Sequence, residues 1–273
     1  MDLSNENIVH IKKEGIEYLQ FKRLLEYSSL VTHAYILGKD KNFRTGLANN
    51  QKLSDEDYNK AVKSYKLICQ ELNINYEDII KPMQNHTDNV ECVKNKKSIC
   101  PDFESYEQTD GLITNKSNLA LSTTNADCIL LLFFDPIKKV IANVHSGWKG
   151  TLKRISIRAV EKMKQIYNCN TKDIICCICP SIRKCHFEVG EDVYSLFVNE
   201  FKDLNLDKII EKRKEKWYID TVLINEILLE NIGIKEKNII DCNICSVCNS
   251  DLMHSYRVEG ATYGLSSAII ELK

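Results

Sequence analysis

Three short segments carry side chains able to bind a soft metal: Asn85-His86-Thr87, Ala126-Asp127-Cys128 and Val144-His145-Ser-Gly-Trp-Lys-Gly150. They offer two imidazoles and one thiol. Zinc prefers nitrogen and sulfur, and a catalytic zinc keeps three protein ligands with one position open to water or substrate. His86, Cys128 and His145 fit that count. His86 and Cys128 are 42 positions apart and Cys128 and His145 17, unlike the tight CxxC pairs of structural zinc sites, so the fold must assemble this site. Taken singly, Cys128 reads equally well as a buried small hydrophobe and His145 as a satisfied core histidine. Asp127, beside the thiol, is a candidate for orienting a ligand or moving a proton, or simply for bracing the strand entrance.

The elements that must position these groups can be read around them. Asp127-Cys128 opens the most apolar run of the chain, residues 129–134, which reads as a buried strand ended by Asp135-Pro136. A second strand is expected at 140–144. In an antiparallel pair, Cys128 at the start of the first strand and His145 at the end of the second become neighbours. Further strands are expected at 174–179, 238–242 and 265–271. Tyr58, Ala61, Val62, Tyr65, Ile68, Cys69 and Leu72 form one helical face behind a Ser54 cap. Another helix is expected over 151–167, with Leu152, Ile155, Ala159, Val160, Met163 and Ile166 inward, and shorter ones near Glu191 and Val222, the latter stopped by Gly233. The mixed order of strands and helices argues for an α+β or mixed α/β fold. No linker or repeat divides residues 1–273, which read as a single domain.

Thr124-Asn-Ala-Asp-Cys128, His145-Ser-Gly-Trp-Lys-Gly150, Cys179-Pro-Ser-Ile182 with Phe187-Glu-Val-Gly190, and Ser255-Tyr-Arg257 follow one another as in a known family. The chain resembles the YfiH-like proteins, also labelled polyphenol oxidase or laccase domain, whose members are described as purine nucleoside phosphorylases. The resemblance runs from about Asn85 to the C-terminus. It implies a four-layer α/β/β/α sandwich with mixed sheets, related to the catalytic domain of cytotoxic necrotizing factors. It also implies an enzyme of purine nucleosides. The departures are Ser146 where the family has Ala, Lys149 where it has Arg, and Ser255-Tyr-Arg-Val-Glu-Gly260 where its closing motif carries a second Arg. In the N-terminal third, Asn42-Phe-Arg-Thr-Gly-Leu47 only hints at the family, leaving Arg44 as a candidate substrate contact.

The helix expected after Gly150 would aim its free N–H groups at the same pocket, so Lys149, Gly150 and Thr151 are candidates for binding phosphate. Arg257 is another, with a buried structural ion pair as its alternative. Two reactions suit zinc beside an anion cradle: phosphorolysis of adenosine, and of inosine, guanosine or methylthioadenosine if these are accepted, and deamination of adenosine by zinc-activated water. Asp127, Cys128 and His145 are the candidate catalytic groups. A metal-free hydrolase or deamidase is the alternative, because Cys128 and His145 could form a thiolate–imidazolium pair. A copper polyphenol oxidase would need more imidazole than six histidines in the chain supply. A non-enzymatic zinc-binding protein would bind the metal without turnover.

Composition bounds these readings. The net charge of −1 gives no global field to recruit nucleic acid or a membrane. Runs such as Glu211-Lys-Arg-Lys-Glu-Lys216 read as solvated surface. Twelve cysteines without a visible signal peptide point to a reduced, cytoplasmic protein, expected to be a monomer. Cys242-Asn-Ile-Cys245-Ser-Val-Cys248 offers the thiols of a second metal motif. With no fourth ligand visible nearby, it reads as structural or incidental. His10, His33, His186 and His254 are expected to be dispensable for metal binding, with His186 at the pocket rim.

Overall fold

The run Ile129-Leu-Leu-Leu-Phe-Phe134 has no polar face because both of its faces are covered, as expected of a central strand between two layers. Leu130, Leu132 and Phe134 enter one apolar cluster, and Ile129, Leu131 and Phe133 enter another on the opposite side. The computed structural model describes residues 1–45, 53–95 and 106–273. Two mixed six-stranded sheets dominate it.

The first sheet has the order β1 (Ile8–Lys13), β2 (Ile16–Phe21), β3 (Val31–Leu37), β15 (Ser266–Leu272), β7 (Ala120–Asn125) and β4 (Ile79–Ile80). The second runs β14 (Ile239–Asp241), β10 (Ile175–Ile178), β8 (Ile129–Asp135), β9 (Val140–Ser146), β6 (Gly111–Thr114) and β5 (Val90–Cys92). In each sheet antiparallel strands are joined by parallel pairs at the edges. The sheets share one core, in which Leu19, Tyr35, Leu121 and Ile270 of the first meet Leu130, Leu132, Ile141 and Cys177 of the second. Helix α2 (Asp55–Leu72) packs on the other face of the first sheet. Helices α4 (Ile155–Tyr167) and α7 (Thr221–Asn231) cover the other face of the second. A small antiparallel sheet, β11 (Glu188–Val189), β13 (Lys216–Ile219) and β12 (Ile210–Arg213), packs with α5 (Glu191–Glu200) and α6 (Leu206–Ile209) around Phe197, Phe201 and Ile219.

The expected strands and the Ser54 cap are present, the Ser54 side chain accepting from Asp57 N–H at 3.1 Å. Tyr58 and Ile166, expected inward, are exposed instead. The helix expected over 151–167 is two pieces, α3 (Trp148–Leu152) and α4, because Arg154 takes a left-handed conformation at φ 58°. Apolar periodicity does not register such a break, since Leu152 and Ile155 keep the helical spacing on either side of it. The Glu211–Lys216 run is the exposed β12–β13 hairpin, where the Arg213 fork grips Glu211. No helix among the described residues is long and apolar enough to cross a membrane.

Candidate metal centre

Strand register brings two of the three expected ligands together. Strands β8 and β9 pair antiparallel with Ile129 opposite Ser146 and Leu130 opposite His145. His145, in step with Asn143 and Ile141, faces the space between the sheets. Asn143 there donates to the Leu121 and Ala268 carbonyls at 2.9 Å each, tying the sheets together behind the site. Cys128 sits in the turn between β7 and β8. Asn125 holds that turn: its amide donates to the Cys128 carbonyl at 2.5 Å and the Pro180 carbonyl at 2.9 Å, and its oxygen accepts from Tyr35.

His86 arrives from a loop between β4 and β5 and has φ 58°, a conformation costly for a side chain of its size. The buried carboxylate of Asp110 fixes it there. Asp110 Oδ1 accepts from His86 N–H at 3.0 Å, and Oδ2 accepts from Asn85 N–H at 3.2 Å and Thr87 N–H at 2.7 Å. Three successive amides thus close on one carboxylate, the concave arrangement in which backbone dipoles bind anions. The same Oδ1 lies 2.8 Å from His145 Nδ1, and the Asp110 carbonyl accepts from His145 N–H at 2.7 Å. One residue therefore orients both histidines. Burial alone would raise the Asp110 carboxyl, but His145 and Thr87 hold it at about 2.

The ligating atoms of His86, Cys128 and His145 all lie within 4.8 Å of one another, with Cys128 Sγ 3.8 Å from His86 Nε2. Asp110 engages Nδ1 of His145 and so leaves Nε2 to face the thiol, the carboxylate–histidine–metal pattern. Burial would raise the Cys128 thiol, yet His145 and then His86 draw it down to about 6. Against the lowering effect of burial, Cys128 and Asp110 lift His145 above an ordinary imidazole. A divalent cation bound here would replace the proton that His145 shares with Cys128, leaving the thiolate and the two imidazoles as its ligands. Gly147 leaves the room: a Cβ there would stand 2.6 Å from His86 Cδ2 and 3.2 Å from Cys128 Sγ. The residues therefore fit a three-ligand zinc.

The trio lies in the wall of a cavity of about 610 Å³, which Arg44, Gln84, Asp127, Phe187, Tyr256, Arg257 and Tyr263 also line. Arg44 lies over the Tyr263 ring at 4.4 Å and donates to the Tyr263 carbonyl at 3.1 Å. Arg257 donates from its two terminal nitrogens to the His186 and Glu188 carbonyls, each at 3.0 Å. Among the described residues its guanidinium is seated on these backbone carbonyls rather than on a buried carboxylate. The Gly46-Leu47 end of the stretch around Arg44 lies outside the described residues.

Lys149, Gly150 and Thr151 are not part of this wall. Lys149 is exposed, with its ammonium 5.4 Å from the Trp148 ring. Gly150 is buried near the Thr87 and His145 carbonyls, and Thr151 is bound to Ser146 and Asn225. The helix expected to cradle an anion is only the five-residue α3. Asp127, at φ 83°, accepts from Ser246 Oγ, Ser255 Oγ and Arg257 N–H at 2.5, 3.0 and 2.7 Å. Its carboxylate thus braces the strand entrance against two C-terminal loops. Asp110 and Gln84 escaped the sequence reading. Gln84 exchanges hydrogen bonds with the Thr124 backbone, fixing the His86 loop to the edge of β7. The signal for Asp110 was an Asp directly before the Gly-Leu-Ile strand start, in reach of both histidines only after folding.

A family model described as multi-copper polyphenol oxidoreductase laccase matches residues 43–273. The chain belongs to that family. It is 26% identical over 253 residues to a purine nucleoside phosphorylase of Bacteroides thetaiotaomicron, covering 89% of this chain and 94% of the relative. It is 32% identical over 174 residues to purine nucleoside phosphorylase LACC1 of Mus musculus, covering 62% of this chain but only 39% of that longer relative. A third relative is named adenosine deaminase RL5, from an unknown prokaryotic organism, 26% identical with 72% of this chain and 76% of the relative covered. Among solved structures, the hypothetical protein YfiH of Bacillus licheniformis superposes with a TM-score of 0.81 at 24% identity, covering 94% of this chain and 96% of that one. The mixed α and β fold is therefore shared with YfiH.

Proposed function

We propose that this chain is a zinc-dependent enzyme of purine nucleosides, cleaving adenosine with phosphate to adenine and ribose 1-phosphate. The observation that carries the reading is the three-ligand His86, Cys128, His145 cluster in the wall of a nucleoside-sized cavity. The packing order α2, sheet, sheet, α4 with α7 supports reading the fold as a four-layer α/β/β/α sandwich, formed by the chain as one domain. When bound, zinc would act as a Lewis acid toward a substrate oxygen or phosphate.

The chain's own groups have separable tasks. Asp110 keeps His86 and His145 in ligating orientation. Arg44 and Arg257 each use only part of their five N–H donors on backbone carbonyls, so the remainder can take a phosphate. Phe187, Tyr256 and Tyr263 offer apolar faces for a purine. Asp127 positions Cys128 and Arg257 through the backbone and transfers no proton in this reading. Deamination of adenosine at the same centre is a second activity of the same substrate class, and the relative named adenosine deaminase favours testing it.

Incubation with adenosine and phosphate, followed by chromatography, tests both. Adenine release that rises with phosphate is expected, and inosine would report deamination. A zinc-replete protein giving neither product would refute the nucleoside reading. A metal-free Cys–His hydrolase is the second reading, favoured by the lowered Cys128 thiol beside two imidazoles. Chelation decides: activity lost and then restored by added zinc supports the metal enzyme, and activity indifferent to chelation supports the dyad.

A further inference from the structure

A second group of soft ligands lies outside the cavity. Cys185 and His186 come from the loop after Ser181, and Cys245 and Cys248 from the turn that follows β14. Parallel pairing of β10 with β14 aligns the two loops, and the alignment continues past the strands: Ser181 bridges Cys245, and Ser246 N–H donates to the Ser181 carbonyl at 2.9 Å. Three sulfurs and one ring nitrogen then converge within 4.8 Å of one another.

A tetrahedral zinc with Zn–S of about 2.3 Å and Zn–N of about 2.0 Å holds its sulfurs about 3.8 Å apart and each sulfur about 3.5 Å from the nitrogen. Here Cys185 Sγ is 3.5 Å from Cys245 Sγ and 4.0 Å from Cys248 Sγ. His186 Nδ1 is 3.1, 3.6 and 3.6 Å from the sulfurs of Cys185, Cys245 and Cys248. All five separations bracket the tetrahedral values. A disulfide would join two sulfurs and leave a third thiol and the imidazole turned inward with nothing to bind; the four cysteine and histidine groups share one centre instead. Cys242, nearest in sequence, is excluded because it is fully buried in the core between the sheets.

We propose that Cys185, His186, Cys245 and Cys248 form a second metal centre, a closed tetrahedral zinc site that pins the 183–188 loop to the 244–249 turn. Four protein ligands leave no open position, so the site is structural. It stands behind one wall of the cavity: Phe187, next to ligand His186, lines the cavity, and the Arg257 fork is seated on the His186 and Glu188 carbonyls. The metal therefore sets where Phe187 and Arg257 stand. This centre does not depend on the chemistry assigned to the cavity.

Zinc counted per chain after purification under reducing conditions tests the site. About two zinc per chain is expected in the unmutated protein, about one in Cys128→Ala, about one in Cys248→Ala, and none in the double variant. Cys185→Ser should repeat the Cys248→Ala result, and either should lower the melting temperature by on the order of 5–10 °C. X-ray absorption on the unmutated protein needs no variant to fold: two centres with one and three thiolates average about two sulfurs per zinc. Loss of all zinc from Cys128→Ala, about one sulfur per zinc in the unmutated protein, or a disulfide from Cys185 to Cys245 or Cys248 would each overturn the proposal.

Discussion

The two ligand clusters are built from the same side chains toward opposite ends. The cavity cluster has one thiol and two imidazoles, drawn from three separate segments and oriented by a buried carboxylate. The loop cluster has three thiols and one imidazole from two segments held together by backbone pairing. In the proposed reading the first, with three ligands, leaves a position open toward the cavity, and the second, with four, would close its shell. The contrast teaches that a ligand count separates chemistry from scaffolding only when the supporting shell is read with it. Asp110 holds His86 and His145 through Oδ1 and fixes the neighbouring Asn85 and Thr87 amides through Oδ2, whereas the loop cluster has no comparable orienting carboxylate among the described residues and rests on sheet register.

Substitutions that break the two clusters separately should therefore differ in kind. The largest effect is expected from Cys128→Ala, with turnover falling by about 10³-fold or more as the Lewis acid is lost. Circular dichroism should show the fold retained, and the loop zinc should remain. Next comes Arg257→Ala, which removes a fork facing the cavity. Hydrogen bonds to a charged group of about 1.5–3 kcal/mol predict a 10- to 100-fold rise in the phosphate KM, read from initial rates. Asp110→Asn keeps the shape but weakens the acceptor for both histidines, so zinc affinity should fall about 10- to 100-fold in competition with a chromophoric chelator. Gly147→Ala should act in the same direction by pushing His86 aside. The smallest effect is expected at Lys149: its Ala variant should change the phosphate KM by less than about twofold, because its exposed ammonium lies over Trp148 outside the cavity wall and is screened by solvent. A tenfold rise there would return the anion site to α3 and blur the separation of roles.

The parts legible in the sequence are those that local pattern determines. The apolar run 129–134 and its partner gave the β8–β9 pair, and with it the meeting of Cys128 and His145. Ser54 marked the start of α2, and 174–179, 238–242 and 265–271 marked β10, β14 and β15 to within a residue or so. What stayed hidden depends on distant pairing or on single backbone angles. Arg154 at φ 58° splits a helix without disturbing its periodicity. Asp110 is 24 positions after His86 and 35 before His145, a spacing with no signature. The Cys242, Cys245, Cys248 motif showed no fourth ligand because Cys185 and His186, which join Cys245 and Cys248, lie some 60 positions earlier, while Cys242 turns into the core instead. Only the parallel β10–β14 pairing carries them across. His186, expected at the pocket rim without metal, belongs to that cluster.

In the proposed function the cavity cluster holds the metal on which nucleoside turnover depends, and diffraction at the zinc edge from crystals of active protein reads that metal in place. The expected result is an anomalous peak about 2.0–2.3 Å from His86 Nε2, Cys128 Sγ and His145 Nε2, absent from Cys128→Ala crystals that have lost turnover. A fully active crystal preparation with no peak at Cys128 would contradict it.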